Sequence, residues 1–143
     1  EYPTAYTLNG HTKALTDAGL FGGAINVTQG DKVRIYFVAG GPNKGSNFHV
    51  IGTIFDQTYT GSMFQPALNE ETVFVAPGSA AVFELSAPVP GTFLLVDHAL
   101  FRVPKGAAGF MHVGCKVPRL ADGSCPTWPH DIMSPEVIGG SGH

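Results

Sequence analysis

Charge is scarce in this chain: only 13% of its 143 residues are Asp, Glu, Lys or Arg, and the formal net charge is −3. The basic residues are scattered rather than clustered, so nothing makes an electrostatic case for nucleic acid or an anionic membrane as partner. No apolar run reaches the roughly 20 residues a membrane-spanning helix needs. An initiating Met and a signal peptide are absent. The chain opens Glu1-Tyr2-Pro3-Thr4, which suggests a processed chain or a piece cut from something longer. Helical periodicity is nearly missing too, and no internal repeat, low-complexity tract or linker interrupts the sequence. Cysteine is limited to Cys115 and Cys125. With no C-x-x-C pair, the usual zinc-ribbon and thioredoxin spacings are excluded. The two cysteines lie in a loop-like stretch with Pro118, Gly123 and Pro126. A disulfide is the simplest reading there and free thiols the alternative; a disulfide would imply an oxidising compartment.

What the chain does have is 43% hydrophobic residues, 19 glycines and 11 prolines, the composition of a compact, turn-rich β protein. Ala5-Tyr6-Thr7-Leu8 reads as a short strand closed by the turn pair Asn9-Gly10. Ile25 to Thr28 follows a glycine-rich stretch, and Gln29-Gly30-Asp31 makes a turn. From Lys32 to Val38 the residues alternate, with Val33, Ile35 and Phe37 inward and Lys32, Arg34 and Tyr36 outward. Residues 39–46 carry every turn signal, and residues 61–69 read as another loop. Strands are expected over Glu71 to Ala76 and Ala80 to Leu85, the latter with Ala81, Phe83 and Leu85 opposite Val82 and Glu84. A loop from Pro104 to Gly109 precedes a last strand, Phe110 to Val113. About eight short strands at this spacing predict an all-β, two-sheet Greek-key sandwich over residues 1–114, with an extended tail over 115–143.

Two apolar runs each contain one histidine: Asn47 to Asp56, with His49, and Leu94 to Phe101, with His98. A strand's period of two puts His49 on one face with Ile51 and Thr53, and puts Phe48 and Val50 on the other. His98 falls with Leu94 and Val96. A histidine among aliphatic residues must find a hydrogen-bond partner, bind a metal, or stay neutral at a cost. A single histidine on such a strand is ordinarily a satisfied core or edge residue. Two of them weaken that bland reading without replacing it. His11, His112, His130 and His143 read as surface or strand-edge residues.

Gly40-Gly41-Pro42-Asn43, Phe48-His49-Val50-Ile51-Gly52, Ile54-Phe55-Asp56, Pro77-Gly78-Ser79-Ala80, Pro90-Gly91, Val96-Asp97-His98 and Lys105-Gly106-Ala107 together resemble the second, C-terminal cupredoxin domain of copper-containing nitrite reductases. The resemblance covers roughly residues 3 to 113, in order and with similar gaps; the tail and its two cysteines depart from it. It implies a cupredoxin-like fold and the reduction of nitrite to nitric oxide in the periplasm or outside the cell. It implies that His98 supplies one imidazole to a type 2 copper, and that His49 is a proton donor that is not itself a ligand. Ile51 matches the aliphatic residue that roofs the nitrite pocket, and Glu71 and Thr72 match groups that orient His49. A titrating group and a metal that polarises nitrite oxygens suit a reaction taking one electron and two protons.

The resemblance also says what this chain would need from elsewhere. In the family, two further copper-binding histidines come from the first domain of a neighbouring subunit, in a homotrimer, and that domain also carries the type 1 copper. A type 1 site needs a Cys, two His and usually a weak Met. The matching loop here, Asp97 to Gly109, has neither Cys nor Met, so no type 1 site is expected in this chain. Cys125, His130 and Met133 have a suggestive order but lie beyond the last strand. The competing expectation is a stand-alone cupredoxin-like module with a binding or structural role and no redox activity. A laccase-type oxidase is set aside, because paired His-x-His and His-Cys-His ligands are absent.

Overall fold

The structure is a computed structural model that describes residues 2–17, 23–87, 89–116 and 120–125. Among these residues nine strands form two sheets. In chain order they are β1 (Ile25–Thr28), β2 (Lys32–Val38), β3 (Ser46–Ile51), β4 (Phe55–Tyr59), β5 (Ala67–Glu70), β6 (Thr72–Val75), β7 (Ala80–Ser86), β8 (Gly91–Asp97) and β9 (Ala108–Gly114). A single 3₁₀ turn, Leu100–Arg102, follows β8. The five-stranded sheet has the order β1-β9-β8-β3-β6 and the four-stranded sheet β2-β7-β4-β5. Only β1 and β9 pair in parallel; the other neighbours are antiparallel. The expected sandwich is therefore the observed one. No helix among the described residues is long and apolar enough to cross a membrane.

Alternation in the sequence becomes alternation in space. Along β7 the residues Ala81, Phe83 and Leu85 are buried while their neighbours are not, and β2 alternates in the expected phase. The inner faces meet in an aromatic cluster. Phe48 lies 4.7 Å from Phe37, 5.0 Å from Phe83 and 5.8 Å from Phe55, ring centre to ring centre. Phe55 and Phe83 are 4.7 Å apart. Such pairs add attraction beyond simple burial of their area. Val50, Phe83 and Met111 have no exposed surface at all.

Three local expectations are corrected. Ala5 to Leu8 forms no strand: Leu8 makes only an isolated bridge to His11 across the Asn9-Gly10 turn. The Tyr6 N–H is instead taken by the carbonyl of Lys105, so tertiary contact replaces local pairing. Residues 61–69 are not loop throughout, because 67–70 form β5 against β4. That strand is an exposed edge with no apolar alternation, so it left no pattern to read. Neither histidine run is one strand: the first breaks after Ile51, which leaves Thr53 in the turn before β4 and off the face of His49 and Ile51. β8 stops at Asp97, and His98 sits just beyond its end.

Past the last strand, Cys115 and Cys125 are joined Sγ to Sγ, with Cα atoms 5.7 Å apart. Trp128, His130 and Met133, and with them most of the expected tail, lie outside the described residues.

The aromatic cluster generates a stability prediction. Phe83→Ala should lower the free energy of unfolding by about 3–5 kcal/mol, through lost burial and the cavity left behind. Urea denaturation reads this directly, and a loss below about 1 kcal/mol would contradict the central place given to this ring.

Candidate metal and proton-transfer site

β3 lies between β8 and β6, and its two faces do different work. Phe48 and Val50 point into the core, at 3% and 0% exposure, so His49 and Ile51 must point out of the sandwich. Register places His49 opposite Thr72 of β6 and opposite Val96 of β8. Its Nδ1 lies 2.7 Å from the backbone carbonyl oxygen of Glu71. A carbonyl only accepts, so Nδ1 carries the proton of this bond, and Nε2 is left to take or give one.

Glu71 contributes through its main chain, and topology explains why. It is the single residue between β5 of one sheet and β6 of the other. At this crossing its carbonyl lies outside both strand ladders and is available to the imidazole. The Glu71 side chain is exposed, and so is that of Thr72, which stands beside His49 by register. Glu70, one residue earlier, has its carboxylate engaged by the Thr58 hydroxyl.

His98 comes to the same face from the end of β8. Its N–H donates to the Asn47 carbonyl at 2.8 Å, extending the β3–β8 pairing by one step. The side chain is exposed, and no described residue hydrogen-bonds its ring. The two imidazoles lie 5.5 Å apart, centre to centre, with their planes inclined at 59°. Ile51 is 40% exposed on the same face of β3 as His49. The structure thus gathers His49, His98, Ile51, Thr72 and the Glu71 carbonyl around β3 on the outer face of the five-stranded sheet.

One residue was not singled out by the sequence reading. Asp97 is buried, and its carboxylate accepts from Arg102 Nη1 at 2.5 Å, Ser46 Oγ at 3.0 Å, Ala99 N at 3.0 Å and Asn47 N at 3.4 Å. A signal was present: alternation from Phe93 and Leu95 puts position 97 on the core face, where a carboxylate must be paired. The bland reading of His112 is also refined. Its Nδ1 meets Thr92 Oγ1 at 2.9 Å and its Nε2 meets Asp17 Oδ1 at 2.7 Å, so both nitrogens are engaged. A cavity of about 810 Å³ lies under the N-terminal segment, lined in part by Tyr6, Phe48, Asp97 and Arg102, and neither site imidazole borders it.

The donor set sets a limit. Among the described residues no group of three or more His, Cys, Asp or Glu side chains could hold a metal ion. A transition metal bound through imidazole usually takes three or more protein ligands. His98 suits a metal as one contributor to a shared site, not as the whole of it.

No family model matches the chain. A copper-containing nitrite reductase of Neisseria meningitidis serogroup A is 38% identical over 122 residues, which are 84% of this chain and 31% of the relative. Among solved structures, a Cu-containing nitrite reductase from Thermus scotoductus has a TM-score of 0.71 at 32% identity, covering 82% of this chain and 27% of that one. The copper nitrite reductase of Nitrosomonas europaea, at 24% identity, shares the fold with a TM-score of 0.72 over 94% of this chain and 45% of its own. The chain spans about a third of the length of the curated relatives it matches. In sequence and in fold the chain is similar to copper-containing nitrite reductases over most of its own length.

Proposed function

We propose that this chain acts as the C-terminal cupredoxin domain of a copper nitrite reductase, reducing nitrite to nitric oxide at a site shared with a partner domain. The observation that carries this reading is the pair of imidazoles 5.5 Å apart on an outer sheet face. One ring is anchored through Nδ1, and the other is exposed with no described hydrogen-bond partner. That is the arrangement expected of a proton donor beside a metal ligand.

In this reading His98 gives one nitrogen to a type 2 copper, and two further histidines come from a neighbouring subunit's first domain, in a homotrimer. A copper held there would supply Lewis-acid polarisation of the nitrite oxygens and the route for the electron. The overall step takes nitrite, one electron and two protons to nitric oxide and water. His49 holds its Nδ1 proton on the Glu71 carbonyl, so the proton it delivers leaves from Nε2. Because the ring cannot turn without losing that bond, Nε2 keeps one direction. Ile51 roofs the nitrite pocket, while Thr72 flanks the base of the His49 side chain. Exposed Ile51 (40%), Leu100 (52%), Phe74 (60%) and Phe101 (94%) lie on this face or in the turn after His98. Apolar surface of this kind suits an interface. The disulfide between Cys115 and Cys125 fits a periplasmic or extracellular location. This chain alone is not expected to turn over nitrite.

Two variants of the whole protein test the assignments. His98→Ala should abolish the type 2 copper signal in electron paramagnetic resonance while leaving the fold intact, since this side chain is exposed; type 2 copper retained at full occupancy contradicts the ligand role. His49→Ala should keep the copper but lower kcat by about a hundredfold, in line with loss of a general acid. It should also change the pH dependence of the rate, and an unaltered pH–rate profile would refute the proton-donor role.

A further inference from the structure

The exposed imidazole of His98 raises the question of what aims it. No described residue hydrogen-bonds its ring, so the backbone that carries it fixes where the side chain starts and which rotamers reach the site. That backbone leaves β8 at Asp97, and the Asp97 carboxylate holds it on both sides. Oδ1 accepts from the N–H of Ala99, the residue after His98, at 3.0 Å. The same oxygen accepts from the N–H of Asn47 at 3.4 Å, and the Asn47 carbonyl receives the His98 N–H. Oδ2 is fixed in turn by Ser46 Oγ at 3.0 Å and by Arg102 Nη1. Arg102 also donates to the Gly45 carbonyl at 2.8 Å, and its guanidinium lies 5.1 Å from the centre of the Tyr6 ring.

We infer that Asp97 is a positioning residue for His98: its buried carboxylate clamps the turn after β8 so that the imidazole is presented at a fixed angle for metal binding. The inference rests on the reading of His98 as a copper ligand. Asp97 faces the core with Phe93 and Leu95, on the opposite side of the strand from His98, so it acts through the main chain and does not reach the metal. Arg102 closes the turn from its far end and keeps the carboxylate in place. Partners that orient a ligand without touching the metal commonly alter metal affinity by tenfold or more when removed.

The test uses the whole copper-loaded protein, with Cu(II) affinity of the type 2 site measured by chelator competition and its geometry by electron paramagnetic resonance. Asp97→Ala should weaken Cu(II) binding by about 10- to 100-fold and shift the type 2 signal. Asp97→Asn keeps an oxygen for the Ala99 and Asn47 N–H groups but loses the acceptor for Arg102, so its loss of affinity should be clearly smaller than that of Asp97→Ala. Should Asp97→Ala fail to fold, the double variant Asp97→Leu/Arg102→Met replaces the buried pair with apolar side chains of similar size, a change folds often tolerate. It removes the same acceptors and should show the same weakening. Parental affinity and spectrum in Asp97→Ala or in the double variant, with type 2 copper lost in His98→Ala, would overturn the positioning role alone. Equal loss in Asp97→Asn and Asp97→Ala would overturn it too. Type 2 copper retained in His98→Ala would instead remove the ligand assignment, and this inference with it.

Discussion

The packing of Phe48 against Phe37, Phe55 and Phe83 is the constraint from which the rest of the structure follows. A strand has a side-chain period of two, so fixing Phe48 and Val50 in the core fixes His49 and Ile51 on the opposite face. A slip of one residue would bury the imidazole and expose both apolar side chains, at a cost that forbids it. The core therefore aims the site.

Once β3 is fixed, its neighbours bring the remaining groups. β6 enters the five-stranded sheet directly after the chain has crossed from the other sheet, and the crossing residue, Glu71, offers its carbonyl to His49. β8 arrives from the other side and ends where it does because Asp97 turns the chain. The turn after it is backed by the N-terminal segment. Tyr6 donates its N–H to Lys105, and a β-carbon on Gly106 (φ +119°) would fall on the Tyr6 carbonyl oxygen. Backbone, buried carboxylate and a guanidinium over an aromatic ring together support an imidazole that has little contact of its own. The support is preorganised and the site itself is open, as a ligand completed by another domain requires.

Much of the sandwich was legible residue by residue. β2 and β7 alternate so cleanly that their inward faces could be named from sequence, because one face of each meets the core and the other meets water. β5 could not be named, since an exposed edge strand is held by main-chain bonds that any residue can make. Ala5 to Leu8 misled for the converse reason: its composition suits a strand, but the loop after His98 competes for its hydrogen bonds. The end of β8 was misplaced because Ala99, Leu100 and Phe101 continue the apolar run, while the event that stops the strand is a carboxylate binding main-chain N–H groups.

The sequence alone determined the class of fold, the shared face of His49 and Ile51 opposite Phe48 and Val50, and the resemblance that relates the chain to copper-containing nitrite reductases. These follow from local alternation, turn residues and short motifs, all carried by residues close together in the chain. Only the tertiary structure decided that the two imidazoles stand 5.5 Å apart, that a main-chain carbonyl holds one, and that a buried carboxylate holds the turn bearing the other. The reason is physical: the first two contacts join segments far apart in sequence, and the second and third use backbone atoms, which every residue shares and no side-chain pattern can announce.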